Sequence, residues 1–358
     1  MSLLIMLKLS IIYKPKALSF ICKCVGGTDI SKKVMCYIKG NLMDSSTDLI
    51  NLEAKDIPCE CEVIMYSRFS INEESIINVD EALLKSVTDL NKPVILTVSR
   101  EELYLDWIKI LKPDGNAKDA KVLCDFALKH NVQGYILNSI TPQCVFRSFN
   151  ENVGKYIIPY IKQLKQCGPD LIIGVTVEAI PSSIKNPCMY NFEELNDLVN
   201  FYEVQTFKLN ECVPNLYNGR TPITKSEHGA NYLYGMEEVA SYLKESKICL
   251  TKLSYNIEMY PVYNDQTTYT SYKKVCKGEF DCSTYCVQTT KNFYDKGKFV
   301  HDENSGIIVM ILDLDDIGND CQCTSAFIGF KNIIAGFVGG SHIPCTKFDI
   351  QSIEYPIK

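Results

Sequence analysis

The 358-residue chain lacks a basic surplus: 37 Lys and Arg stand against 43 Asp and Glu, a net charge of −6. A nucleic-acid binder normally shows the reverse, so that class is excluded. Tryptophan occurs once, at Trp107, and histidine four times, at His130, His228, His301 and His342. None of the histidines has the spacing to cysteine that a zinc finger needs. No apolar run approaches the roughly 18 residues of a membrane span. No Gly-x-Gly-x-x-Gly or Walker loop follows an apolar run, which removes the main reason to expect a nucleotide-binding sheet. There is no Asn-x-Ser/Thr glycosylation site, and no low-complexity tract divides the chain.

What the chain does have is 17 cysteines and 46% hydrophobic residues. That cysteine content points to an oxidising compartment, and hence to secretion, while being too dilute for a small disulfide scaffold. An odd total leaves at least one thiol free or paired between chains. Cys59/Cys61 and Cys321/Cys323 are Cys-x-Cys pairs, a weak metal signal; no metal and no cofactor is expected. Residues 1–30 read as a leader and an imperfect signal segment, since Lys8 interrupts the apolar stretch Leu3–Ile12 and Lys14 and Lys16 follow it.

Eight short β-rich runs recur: Val34–Ile38, Val63–Phe69, Val94–Val98, Val132–Leu137, Leu171–Val177, Tyr202–Phe207, Ile248–Leu253 and Gly306–Leu312. Several are continuously apolar, as strands covered on both faces of a parallel sheet are. Helical spacing lies between them. One helix carries Val153, Ile157, Tyr160, Ile161 and Leu164 on one face, with Ser148-x-x-Glu151 as a capping box before it and Gly168-Pro169 after it; others centre on Val122–Asn131 and Leu233–Leu243. Alternation of this kind, with eight strands over some 300 residues, predicts an α/β fold: a closed TIM (β/α)8 barrel over 31–345, with a C-terminal tail at 346–358. Pro261–Cys286, rich in Tyr, Thr, Lys and Cys, reads as a short insertion between strands 7 and 8, pinned by Cys276, Cys282 and Cys286.

The segment Gly306-Ile-Ile-Val-Met-Ile-Leu-Asp-Leu-Asp-Asp-Ile-Gly-Asn-Asp-Cys321 resembles the last barrel strand of family-18 glycoside hydrolases, the chitinases and chitinase-like lectins. Lys33-Val-Met-Cys-Tyr37, Pro58-Cys-Glu-Cys61 with Val63–Tyr66, Tyr202-Glu-Val-Gln-Thr-Phe207, and Val275-Cys276 resemble further motifs of that family in the expected order. The resemblance covers about Lys32 to Phe330. It implies disulfides Cys36–Cys61 and Cys276–Cys321.

Enzymes of the family end their fourth strand in Asp-Gly-x-Asp-x-Asp-x-Glu, where the final Glu protonates the glycosidic oxygen and the substrate's acetamido group attacks. Aligned on its glycine, this chain reads Gln133, Gly134, Tyr135, Ile136, Leu137, Asn138, Ser139, Ile140. The acid position is Ile140, and the three aspartates become Gln133, Ile136 and Asn138. By the same resemblance Phe207 lacks the hydroxyl that would hold the acetamido carbonyl, Lys208 replaces an Asp, Met310 replaces the Trp that floors a sugar, and Ser99-Arg100 replaces Gly-Gly; Tyr37 keeps its type. The expectation is a non-enzyme acting by binding, its ligand a chitin-type oligosaccharide, another glycan or a protein partner. The ligand-binding candidates are Tyr37, Arg100, Asn138, Glu178, Phe207, Lys208 and Met310, with Arg100 and Lys208 read either as a cationic mouth or, equally, as rim charges paired with surface carboxylates. Trp107 with Tyr104 is either an aromatic ledge or, in the plainer reading, a core contact. Two rivals stay open. One is a hydrolase that has moved its acid to Glu178 or to Asp313, Asp315 and Asp316, against which stands a structural, turn-capping role for those aspartates. The other is a structural or effector protein that uses the insertion to engage a receptor.

Overall fold

The computed structural model describes residues 30–38, 52–141, 153–214, 220–228, 231–263, 269–279 and 282–349, with the main chain alone at 113–116, 208, 226–228, 231–232 and 282. Residues 1–29 of the expected leader and Ser148–Glu151 lie outside the described residues.

Eight parallel strands close into a barrel: β1 Val34–Ile38, β2 Val63–Tyr66, β3 Val94–Val98, β4 Gly134–Leu137, β5 Ile172–Glu178, β6 Phe201–Gln205, β7 Leu253–Glu258 and β8 Gly306–Met310. Each pairs with its sequence neighbours, and β1 pairs with β8 through Val34↔Ile307, Met35↔Ile308 and Cys36↔Val309 to close the ring. The helices α1 Glu81–Thr88, α2 Pro113–His130, α3 Val153–Cys167, α4 Phe192–Leu198, α5 Met236–Glu245 and α6 Thr290–Asp302 lie between strands, and α7 Ile328–Phe337 follows β8.

Local chemistry sets several of these boundaries. Asp80 caps α1 by accepting from the Leu83 N–H at 3.0 Å. Asn131, at φ +53°, ends α2 in the left-handed conformation that Asn tolerates. Thr289 and Asn292 satisfy each other's backbone N–H at the start of α6.

Alternation along the strands divides the core in two. Cys36, Ile64, Leu96, Tyr135, Val175, Tyr202, Tyr255 and Val309 face outward into a sleeve between sheet and helices. Met35, Tyr37, Met65, Ile95, Ile136, Ile172, Phe201 and Ile308 fill the lumen. Gly174 makes room there: a Cβ on it would sit 2.4 Å from the Phe201 ring.

The seventh strand differs from expectation. Residues 248–252 approach the barrel through a 3-10 turn at Leu250–Lys252, and the strand itself is Leu253–Glu258. Its lumen side carries Ser254, Asn256 and Glu258, all buried, so the strand lacks an unbroken apolar run. Within the insertion, Val262–Tyr263 and Tyr285–Cys286 pair as an antiparallel stem around the short helix Tyr272–Lys277.

The described cysteines form the disulfides Cys36–Cys61, Cys124–Cys167, Cys212–Cys286, Cys276–Cys321 and Cys323–Cys345. Cys286 of the insertion thus joins Cys212 in the segment after β6, Cys276 joins the loop after β8, and the Cys282 side chain lies outside the described residues. Among the described residues Cys59 and Cys188 are free thiols. No described helix is long and apolar enough to cross a membrane.

Candidate functional site

Strand parity brings Tyr37, Thr97, Asn138, Glu178, Glu203, Gln205, Asn256 and Met310 to the lumen side toward the C-terminal ends of the strands, the face where barrel enzymes build their sites. The centre of the polar layer is Glu203, fully buried. Its Oε2 accepts from the Tyr37 hydroxyl at 3.1 Å and its Oε1 from Asn256 Nδ2 at 2.8 Å. Tyr37 in turn accepts from the Thr97 hydroxyl at 3.2 Å. No cation joins this group among the described residues, and burial pushes the Glu203 carboxyl up to about 7 against the two hydrogen bonds that favour its ionised form. Burial, and the negative charge of Glu203, raise the Tyr37 phenol well above its ordinary range, so that it stays a neutral donor.

Nearer the rim, Asn138 Oδ1 accepts from Gln205 Nε2 at 3.2 Å. Glu178, the last residue of β5, is half-buried; its Oε2 accepts from the Ser183 hydroxyl at 2.9 Å. Burial raises its carboxyl to about 7, with Ser183 opposing. Met310 is half-buried beside the lumen cluster, and the Phe207 N–H donates to Asn256 Oδ1 at 3.0 Å. Lys208 belongs to the 3-10 turn Thr206–Lys208, and only its main chain is described. On the β7 side Glu258 pairs with Arg220, both buried. Burial brings the nearby Lys296 amine down to about 8, and that amine donates to Gln288 Oε1 at 2.5 Å.

Several sequence candidates stand elsewhere. Arg100 is not at the mouth: its buried guanidinium pairs with Asp119 of α2 at 2.7 Å and lies 4.1 Å from the Trp107 ring centre. The residue follows β3 by two positions on the sleeve side of the barrel, where an unpaired charge would be costly and Asp119 neutralises it. Trp107 is fully buried and donates to the Asn138 carbonyl at 2.8 Å, which makes it a core contact. Gln133 precedes β4 at the opposite end of the barrel, where its Oε1 accepts from the Val94 N–H at 2.8 Å. Ile136 fills the lumen. Ser139, at φ +51°, breaks the strand alternation after β4, and Ile140 is fully buried in the sleeve.

Two of the aspartates after β8, Asp315 and Asp316, are committed to the main chain. Asp315 accepts from the N–H groups of Asp316, Gly329 and Phe330, and Asp316 from those of Asp320 and Cys321. Burial brings Asp315 to about 6, and both of its oxygens accept from main-chain N–H groups. Asp313 is buried in the same turn. Cys276, Asp316 and Cys321 place ligand atoms within 4.8 Å of one another, yet the two sulfurs are already bonded together. The Cys-x-Cys sulfurs are occupied likewise, apart from Cys59.

Sequence reasoning missed Glu203, Asn256, Glu258 and Arg220. The first three carried a signal, a polar residue at alternate positions within a buried strand. Arg220 carried none.

The fold matches solved structures of chitinases. Catalytic domain 2 of the Group II chitinase of Ostrinia furnacalis superposes with a TM-score of 0.73 at 16% identity, covering 87% of this chain and 98% of that one. The Group IV chitinase of the same species, solved with allosamidin, gives 0.72 at 15% identity over 87% and 100%. Human YKL-39, described as a pseudo-chitinase with retained chitooligosaccharide binding properties, gives 0.64 at 14% identity over 90% and 100%. A scan against protein-family models gives no match, and neither does a search of curated proteins. The chain therefore has the fold of the family-18 chitinases and chitinase-like proteins, at an identity that speaks for fold alone.

Proposed function

We propose that this chain is a secreted, catalytically silent chitinase-like protein that works by binding a glycan at the mouth of its barrel. The observation that carries the reading is Ile140: the position that the resemblance assigns to the proton donor holds an aliphatic side chain, turned into the sleeve beside Ser139. Without an acid the leaving oxygen departs as an alkoxide, which forfeits about 10²–10⁴ in rate from that loss alone. The lumen keeps Tyr37 and a layer of hydroxyl, amide and carboxyl groups suited to hydrogen-bonding a sugar. The likeness to a pseudo-chitinase that binds chitooligosaccharides supports the glycan class, and five disulfides support an oxidising compartment. Purified protein is expected to release no fluorophore from a fluorogenic N-acetylglucosamine oligomer while being retained on chitin-type beads; retention by a protein receptor alone would move the reading to the partner class.

One observation favours a second reading. Glu178 sits at the rim with its carboxyl raised to about 7, where a general acid for neutral pH belongs. Turnover of the oligomer that Glu178→Gln abolishes would establish a hydrolase with a relocated acid.

A further inference from the structure

A carboxylate taken out of water normally acquires a cation, as Asp119 does from Arg100 and Glu258 from Arg220. Glu203 and Glu178 acquire hydroxyl and amide donors instead, and no ion pair among the described residues reaches either. They stand one above the other on adjacent strands. Thr176 is opposite Glu203, and Glu178 is opposite Gln205. Two residues of rise and one strand spacing separate their Cα atoms by roughly 8 Å. Glu203 is sealed in the lumen, whereas Glu178 is half-buried and open to the outside at the rim, beside the neutral pair Asn138–Gln205. Glu178 thus stands at the rim as a carboxyl with no described positive charge to match, since Arg100 lies in the sleeve with Asp119 and Arg220 is taken up by Glu258. An N-acetyl group supplies no charge, and Phe207 has no hydroxyl to hold its carbonyl. A free sugar amine brings one positive charge and three donors to a small volume.

The geometry points to a glycan with free amino groups, a deacetylated chitin-type oligomer, as the ligand of this mouth, with Glu178 receiving one sugar ammonium; this rests on the glycan-binding reading above. Binding would then supply the counter-charge that Glu178 lacks among the described residues.

Calorimetric titration near neutral pH with the glucosamine tetramer and the N-acetylglucosamine tetramer, on wild-type protein and on Glu178→Gln, tests it. The glucosamine tetramer is expected to bind at least about tenfold more tightly, and Glu178→Gln to bring the two within about twofold. Equal or tighter binding of the acetylated tetramer by wild-type protein overturns the inference and leaves glycan binding standing. Binding of neither overturns both. A preference for the amine form that survives in Glu178→Gln reflects attraction to the overall charge of −6 and overturns the role of Glu178. The wild-type titrations decide the first two outcomes whether or not the variant folds.

Discussion

Glu203 stores an acid–base bias in the lumen. Its carboxyl titrates near 7 when folded against an ordinary value of 4.5, so the folded chain holds this proton more tightly than the unfolded chain does. Folding is therefore favoured as pH falls through about 7 towards 4.5, and the stabilisation is lost as pH rises back through that window. The full penalty above pH 7 is about 3 kcal/mol. Glu178 adds a smaller effect of the same sign because it is partly solvated. Urea denaturation at pH 5 and pH 8 is expected to show wild-type protein losing stability at the higher pH, and Glu203→Gln losing markedly less. Equal pH dependence in the two proteins would place the titrating group elsewhere.

Helices α6 and α7 approach each other through small residues: a Cβ on Gly297 would lie 2.0 Å from the Ile333 carbonyl oxygen, and one on Gly336 equally close to that of Tyr294. Gly297→Ala must push two backbones apart, and a loss of about 2–4 kcal/mol in thermal or urea unfolding is expected. A loss under about 0.5 kcal/mol would mean that the helices slide freely. The elements were largely legible in the sequence where burial is uniform. Val34–Ile38 and Val94–Val98 have the bounds that their apolar runs predict, and α3 buries the face on which Val153, Ile157, Tyr160, Ile161 and Leu164 fall. Legibility fails where a buried strand carries polar residues. β7 was displaced by five residues because Ser254, Asn256 and Glu258 interrupt its apolarity, and Glu203 stayed hidden inside a run read as plain strand. The partner of Arg100 comes from α2, 19 residues on, and nothing in local pattern announces such a pairing.

At the scale of the molecule, covalent links concentrate around the insertion and the segment after β8. Cys276–Cys321 closes 45 residues and fastens the insertion helix to the turn that follows β8. Replacing both cysteines by serine is expected to cost about 2–4 kcal/mol, read as a lower denaturation midpoint with the far-ultraviolet dichroism of the barrel retained. An unchanged midpoint would mean that packing alone fixes the insertion.

Among the described residues the ring closes without such help. The described disulfides span at most 74 residues, and none joins β1 to β8, whose pairing rests on backbone hydrogen bonds between the two ends of the barrel sequence. During synthesis the outer edge of Val34–Ile38 must stay unpaired until Gly306–Met310 has left the ribosome, a delay of about 15–55 s at ~5–20 residues per second. For that interval the nascent chain exposes an apolar template for strand addition, which ties the yield of this protein to whatever shields that edge while the chain folds.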